Sequence, residues 1–276
     1  MPKKRIWAKS DIDKIIFEYT VNKKTLSQIA PEFNTKPDTI SKLLKSNGVE
    51  LSYRKQNRFI NDYYFEICDT PTKAYFIGLM FTDGSVCVDT YKERQTSVGI
   101  ELAEYDSDIL DKFKQELNMS TKLVHKVREH KTTTVSLKIR SNKMASDLSK
   151  YGIVQNKTEV TRHLCLDYIP NIYMKDFFRG IIDGDGSIYY SLNLWHVNLT
   201  EHFECITKEL YELGRLISGI NPSCKIQCSN NTYKAIWNGV NAKKLLKEIY
   251  YDGCCSIDRK YKKAMLVIQD NSNKTN

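Results

Sequence analysis

Apolar positions recur at helical spacing through the first sixty residues, then change to a mixture of helical and strand periods that occurs twice. Ile12, Ile15, Ile16 and Tyr19 predict a helix from Ser10 to Tyr19. Within residues 25–49, Thr25 stands as an N-cap before an apolar face of Leu26, Ile29, Ala30 and Phe33. Asn34, Thr35 and Lys36 predict a turn, and Pro37 opens a second helix where its missing amide costs nothing. Ile40, Leu43 and Leu44 face inward, Gly48 ends the helix, and Asp38, Thr39, Ser41, Lys42 and Lys45 are left outward. SYRKQNRF, residues 52–59, follows as a basic linker carrying Arg54, Lys55 and Arg58.

The remainder repeats itself. Residues 74–88 read AYFIGLMFTDGSVCV and residues 176–190 read DFFRGIIDGDGSIYY. Each has a glycine, four residues, then Asp-Gly-Ser and a β-branched residue: Gly78 with Asp83-Gly84-Ser85-Val86, and Gly180 with Asp185-Gly186-Ser187-Ile188. A hairpin and a strand follow in each half (SVGIEL, 97–102; HVNLT, 196–200), then a helix (106–117; 205–217) and a strand pair. A short helix (142–152; 241–253) and a lysine, Lys157 or Lys260, complete each half. The fold class predicted is α+β, a pseudo-twofold pair of αββαββα subdomains over residues 73–165 and 166–270, behind a small all-α domain over residues 1–60. Gly78 and Thr82 are four apart, as are Gly180 and Gly184, so each motif helix carries a stripe of small residues where two backbones can approach. That packing would bring Asp83 and Asp185 together at the helix C-termini.

Such an arrangement is unfavourable on its own. An acid there faces the negative end of the helix dipole, costing about 0.3–1 kcal/mol, and two acids also repel. A single Asp-Gly is a common turn signal. Two in the same frame, each ending an apolar helix and starting a strand, point to paired carboxylates that a divalent cation relieves. Mg²⁺, a hard ion that takes oxygen ligands and keeps waters, suits them, with Mn²⁺ as a substitute.

Charge points to a polyanionic partner. The 276 residues carry a net +9, and residues 1–60 hold thirteen Lys and Arg against six acids. In Val135–Arg140 the alternation puts Ser136, Lys138 and Arg140 on one face, with Lys122, Lys126, Arg128, His130 and Lys131 just upstream. A polar, basic sheet face suits phosphates and base edges. Tyr189, Asn193 and Trp195 are expected on one face in the second half, with Lys234 adding charge. The eight cysteines lack zinc-finger spacing and read as reduced thiols. The start, MPKKRIWAKS, reads as a basic tail rather than a secretory signal, and no stretch is apolar enough for a membrane span. The expected location is therefore cytoplasmic, with an organellar address as the alternative.

The motifs FIGLMFTDG (76–84) and FRGIIDGDG (178–186) resemble those of the LAGLIDADG homing endonucleases, the second closely and the first more loosely. Phe81 stands where the second copy has Asp183, the family's first acid. The resemblance covers roughly residues 73–265. It implies a monomer whose two four-stranded sheets form a saddle in the DNA major groove, with the motif helices behind it. It also implies that Asp83 and Asp185 bind divalent metals, that double-stranded DNA is cut to short 3′ overhangs, and that catalytic lysines fall at Lys157 and at Lys260, with Lys262 competing for the latter. Residues 25–49 resemble the helix-turn-helix of resolvases and bacterial regulators, placing Thr39, Ser41, Lys42 and Lys45 on the groove-facing helix. Pro31 departs from that pattern by removing a hydrogen bond in the first helix of the pair. A non-cleaving DNA-binding regulator and an intron-RNA maturase are the alternatives the resemblance leaves open.

Overall fold

The computed structural model describes residues 7–22, 24–49, 51, 60–89, 95–127, 132–220, 226–229 and 231–270. The sequence-predicted contacts Arg54, Lys55, Arg58 and Arg128 lie outside the described residues. Two units are present, residues 1–60 with 118–121, and residues 61–117 with 122–276. No described helix is long and apolar enough to cross a membrane.

The smaller unit contains α1 (Lys9–Thr20), α2 (Leu26–Glu32) and α3 (Pro37–Ser46). Thr25 caps α2 through a reciprocal pair of bonds. Its hydroxyl accepts from the Gln28 amide at 3.2 Å, and its own amide donates to the Gln28 side chain at 2.8 Å. Pro31 stays inside α2, one residue before its end, and Pro37 occupies the first turn of α3. Ile15, Tyr19, Ile29, Ala30, Ile40, Leu43 and Leu44 form one buried cluster. On α3, Lys42 and Lys45 are exposed and Thr39 and Ser41 half-buried, as the helical period requires.

The larger unit runs through α4 (Pro71–Thr82), β1 (Gly84–Asp89), β2 (Gln95–Ala103), α5 (Asp108–Glu116), β3 (Val124–Lys126), β4 (Thr134–Arg140), α6 (Asn142–Ser149) and a single turn, α7 (Lys157–Val160). The same order then recurs as α8 (Met174–Gly184), β5 (Ser187–Ser191), β6 (Leu194–Glu201), α9 (Glu204–Ser218), β7 (Gln227–Ser229), β8 (Thr232–Asn238), α10 (Val240–Ile249) and α11 (Asp258–Gln269). Each half forms a four-stranded antiparallel sheet, ordered β1-β2-β4-β3 and β5-β6-β8-β7. The packed unit begins ahead of the expected boundary at residue 73, because Tyr64 and Phe65 are already buried in it and Tyr151 donates to the Phe65 carbonyl at 3.2 Å.

The sheets bury one face each. Val98, Ile100 and Leu102 alternate inward on β2, as do Val197 and Leu199 on β6, against the flanking helices. A bidentate pair from Arg259 on α11 to Asp106, at 3.0 and 2.8 Å, fastens the second repeat to the first. The β5–β6 hairpin corrects one expectation. Leu192 and Asn193 both take positive φ, forming a two-residue turn, so Asn193 does not share a strand face with Tyr189. Trp195 pairs with Tyr190 and lies on the opposite face from Tyr189, its indole donating to Asp270 at 2.8 Å.

Candidate active site

The two motif helices pack backbone to backbone. A Cβ added to Gly78 would fall onto the Phe177 carbonyl oxygen and lie 3.2 Å from the Gly180 Cα; one added to Gly180 would lie 2.7 Å from the Leu79 nitrogen. Only hydrogen fits at either place, so the glycines set the approach of α4 and α8. At the next turn Thr82 and Gly184 meet, where a Cβ on Gly184 would lie 2.7 Å from Asp83 Oδ2. All four stripe residues are at the contact.

Asp83 and Asp185 are the C-caps of α4 and α8, so both carboxylates leave the paired helices at the same end. Asp83 is half-buried, whereas Asp185 is exposed. Burial, reinforced by the Asp185 charge, pushes the Asp83 carboxyl up to about 6. The Asp185 carboxyl is raised as well, by desolvation against the pull of Lys157 and Lys260. Neither helix end favours a negative charge, so the pair is held by the helix packing rather than by its own electrostatics.

Both lysines turn to the helix ends. Lys157 donates to the carbonyls of Thr82 and Gly84 at 2.7 and 2.6 Å. Lys260 is nearly fully buried and donates to Ile182 (2.7 Å), Gly184 (3.3 Å) and Gly186 (2.8 Å), with a further contact to the Asp183 carbonyl. Lys262 is exposed on α11 and takes no part. Each ammonium thus adds a donor to carbonyls at the end of a motif helix and just after it, where backbone donors run out. Burial pushes both ammonium groups down, while Asp185 and Asp83 hold Lys157 up, and Asp183 and Asp83 hold Lys260 up.

Asp183 behaves differently from its neighbour two residues on. It is buried and receives three donors: Tyr75 (2.8 Å), Tyr250 (2.5 Å) and the Ile257 amide (2.8 Å). Burial raises its carboxyl against those donors and Lys260. It bolts α4, α8 and the segment before α11 together.

Sequence reasoning missed Glu201. It ends β6 beside Asp185 and Lys157, lining a cavity of about 300 Å³ with Phe81, Thr82 and Thr158. Desolvation, with the Asp185 charge added, pushes its carboxyl up to about 7. Its register equivalent in the first repeat is Leu102, so no duplicated signal marked it.

On the exposed faces of the sheets, Lys138 and Arg140 project from β4. Lys126 on β3 is close-paired with Glu101, which also accepts from Thr134 at 2.8 Å. A metal here would find the two carboxylates that the paired helix ends bring together. Among the described residues no group of three or more His, Cys, Asp or Glu side chains is placed to hold an ion. That donor set fits a hard divalent ion that keeps waters and takes further oxygens from a phosphate.

No family model matches the chain, and no curated protein matches it. Among solved structures, the LAGLIDADG homing endonuclease I-LtrWI bound to target DNA is 16% identical, with a TM-score of 0.48 over 75% of this chain and 89% of that one. The LAGLIDADG meganuclease I-AabMI bound to uncleaved DNA is 15% identical, with a TM-score of 0.47 over 72% and 89%. Mesophilic variants of the homing endonuclease I-DmoI are 17% identical, with a TM-score of 0.42 over 68% and 97%. At these identities and scores the likeness carries no chemistry, which has to come from the site itself.

Proposed function

We propose that the chain is a site-specific endonuclease that hydrolyses both strands of DNA with divalent metal ions, Mg²⁺ or in its place Mn²⁺. The observation that carries this reading is the convergence of Asp83 and Asp185 at the C-terminal ends of two helices packed through Gly78 and Gly180. The fold holds together two carboxylates that repel each other, one of them raised to about 6 by that environment. Stability alone does not select for such a pair.

Asp83 and Asp185 would hold the metal. Bound there, it would acidify an attacking water and neutralise the charge developing on a scissile phosphate. Lys157 and Lys260 fix the carbonyl ends of α4 and α8, and with them the direction in which the two acids point. Their positive charges also favour the ionised acids that metal binding needs. The polar sheet faces would follow a major groove, with Lys138 and Arg140 reaching bases or phosphates. The small helical unit, through Thr39, Ser41, Lys42 and Lys45 on α3, would lengthen the recognised site as a helix-turn-helix does. The assembly acts as a monomer, since one chain supplies both acids.

The test is direct. The full chain is incubated with Mg²⁺ and a plasmid library of genomic fragments, and the cut ends are sequenced. The expected result is one site opened on both strands, protected by EDTA, and left whole but still bound by Asp83→Asn and Asp185→Asn. Binding of a specific duplex or RNA with no cutting in Mg²⁺ or Mn²⁺ would overturn the proposal in favour of a regulator or a maturase.

A further inference from the structure

The exposed faces of the two sheets differ at positions that the repeat makes equivalent. The motif serines give the common origin: Ser85 pairs with Gly99, and Ser187 with Asn198. From there, Lys138 lies beside Gly99 and Arg140 beside Ser97 on the first sheet. On the second, Ile236 lies beside Asn198 and Asn238 beside His196. Lys138 therefore corresponds to Ile236, and Arg140 to Asn238.

The surroundings of these side chains differ as much as their chemistry. Lys138 and Arg140 are exposed and make no hydrogen bond or ion pair among the described residues. The Asn238 amide is held by His196 at 2.7 Å, whose other ring nitrogen lies 3.0 Å from the Ser191 carbonyl and whose ring stacks on Tyr189 at 4.9 Å. An asparagine amide has two donor hydrogens and two acceptor lone pairs, so one bond leaves a donor and an acceptor to spare. Ile236 is half-exposed beside it and offers only methyl and methylene groups. On the second face Lys234 lies one row nearer the motif, opposite Thr200.

In a major groove, Arg and Lys match the two acceptors of guanine, Asn matches the acceptor and donor of adenine, and an apolar side chain matches the thymine methyl. Resting on the DNA-cutting reading above, we infer that the two halves of the target are unlike in base content. At two positions placed symmetrically about the centre, the half under the first sheet carries guanine, read by Lys138 and Arg140. The half under the second sheet carries A·T pairs there, with adenine read by Asn238 and thymine by Ile236.

The full chain carrying Asp83→Asn and Asp185→Asn serves as a binding-only form. It is used to select sites from a randomised duplex library in Mg²⁺, alone and with Arg140→Asn or Asn238→Arg added. Both exchanges lie at exposed strand positions, and unchanged melting temperatures establish that the variants fold. The expected outcome is guanine in one arm and A·T at the mirror positions of the other. Arg140→Asn should move its own column from guanine to adenine by about tenfold or more, and Asn238→Arg should move its column the opposite way. A clear selected site whose columns stay put under both exchanges would overturn the inference and leave the endonuclease reading standing. No enriched duplex at all would remove both.

Discussion

The two motif helices share one acid and differ in another, and the difference separates chemistry from construction. Asp83 and Asp185 occur in both copies, end their helices, and have carboxyls raised by desolvation. Asp183 occurs in the second copy alone, is buried, and spends its carboxylate on Tyr75, Tyr250 and the Ile257 amide. Its counterpart, Phe81, packs edge-on against Phe177 at 6.3 Å. A place in the helix that accepts either a bolted carboxylate or a phenyl ring serves the packing. A place that keeps an acid at a cost serves something else.

The contrast can be broken most forcibly at Asp183. Asp183→Ala leaves two tyrosine hydroxyls and one amide without an acceptor and removes a carboxylate charge facing Lys260, and should cost about 3–5 kcal/mol in denaturant unfolding. Asp83→Asn and Asp185→Asn should do the reverse: cleavage falls a hundredfold to a thousandfold, about 3–4 kcal/mol of barrier, while the melting temperature holds or rises. A variant of Asp83 that unfolds as readily as Asp183→Ala would erase the distinction.

The lysines sharpen it further. Lys260→Met strips several carbonyl acceptors of a buried donor and should cost about 3 kcal/mol, whereas Lys157→Met, half-buried with two acceptors, should cost about 1 kcal/mol. Melting curves of the two variants test that order.

The smallest effect is on pH. Asp83 has a folded value near 6, above an unfolded value near 4, so the folded state binds its proton more tightly. Stability in EDTA should then fall as pH rises from about 4 to about 6, by about 2 kcal/mol, and that part of the slope should vanish in Asp83→Asn. Glu201, raised to about 7, extends the loss toward neutral pH and should be relieved by Glu201→Gln.

Much of this was legible in the sequence because it is written locally. The doubled Asp-Gly-Ser frame, the four-residue spacing of Gly78 with Thr82 and of Gly180 with Gly184, and Pro37 at a helix start all act within one or two turns. What could not be read depends on residues far apart in the chain. The donors to Asp183 come from positions 75, 250 and 257, and Lys260 is defined by carbonyls more than seventy residues away. Glu201 lacks a partner in the other repeat, so the duplication that exposed the aspartates hid it. The alternation pattern alone puts Trp195 on the wrong face because the turn at Leu192–Asn193 carries no glycine, and a two-residue reversal without one looks like continuing strand.

One measurement bears most directly on the paired acids: Mn²⁺ binding followed by electron paramagnetic resonance, with the full chain on its selected duplex. The wild-type chain should take up the ion, and Asp83→Asn and Asp185→Asn should each weaken uptake at neutral pH. Uptake by both variants equal to that of the wild type would contradict this and mean that the two carboxylates are not shared ligands.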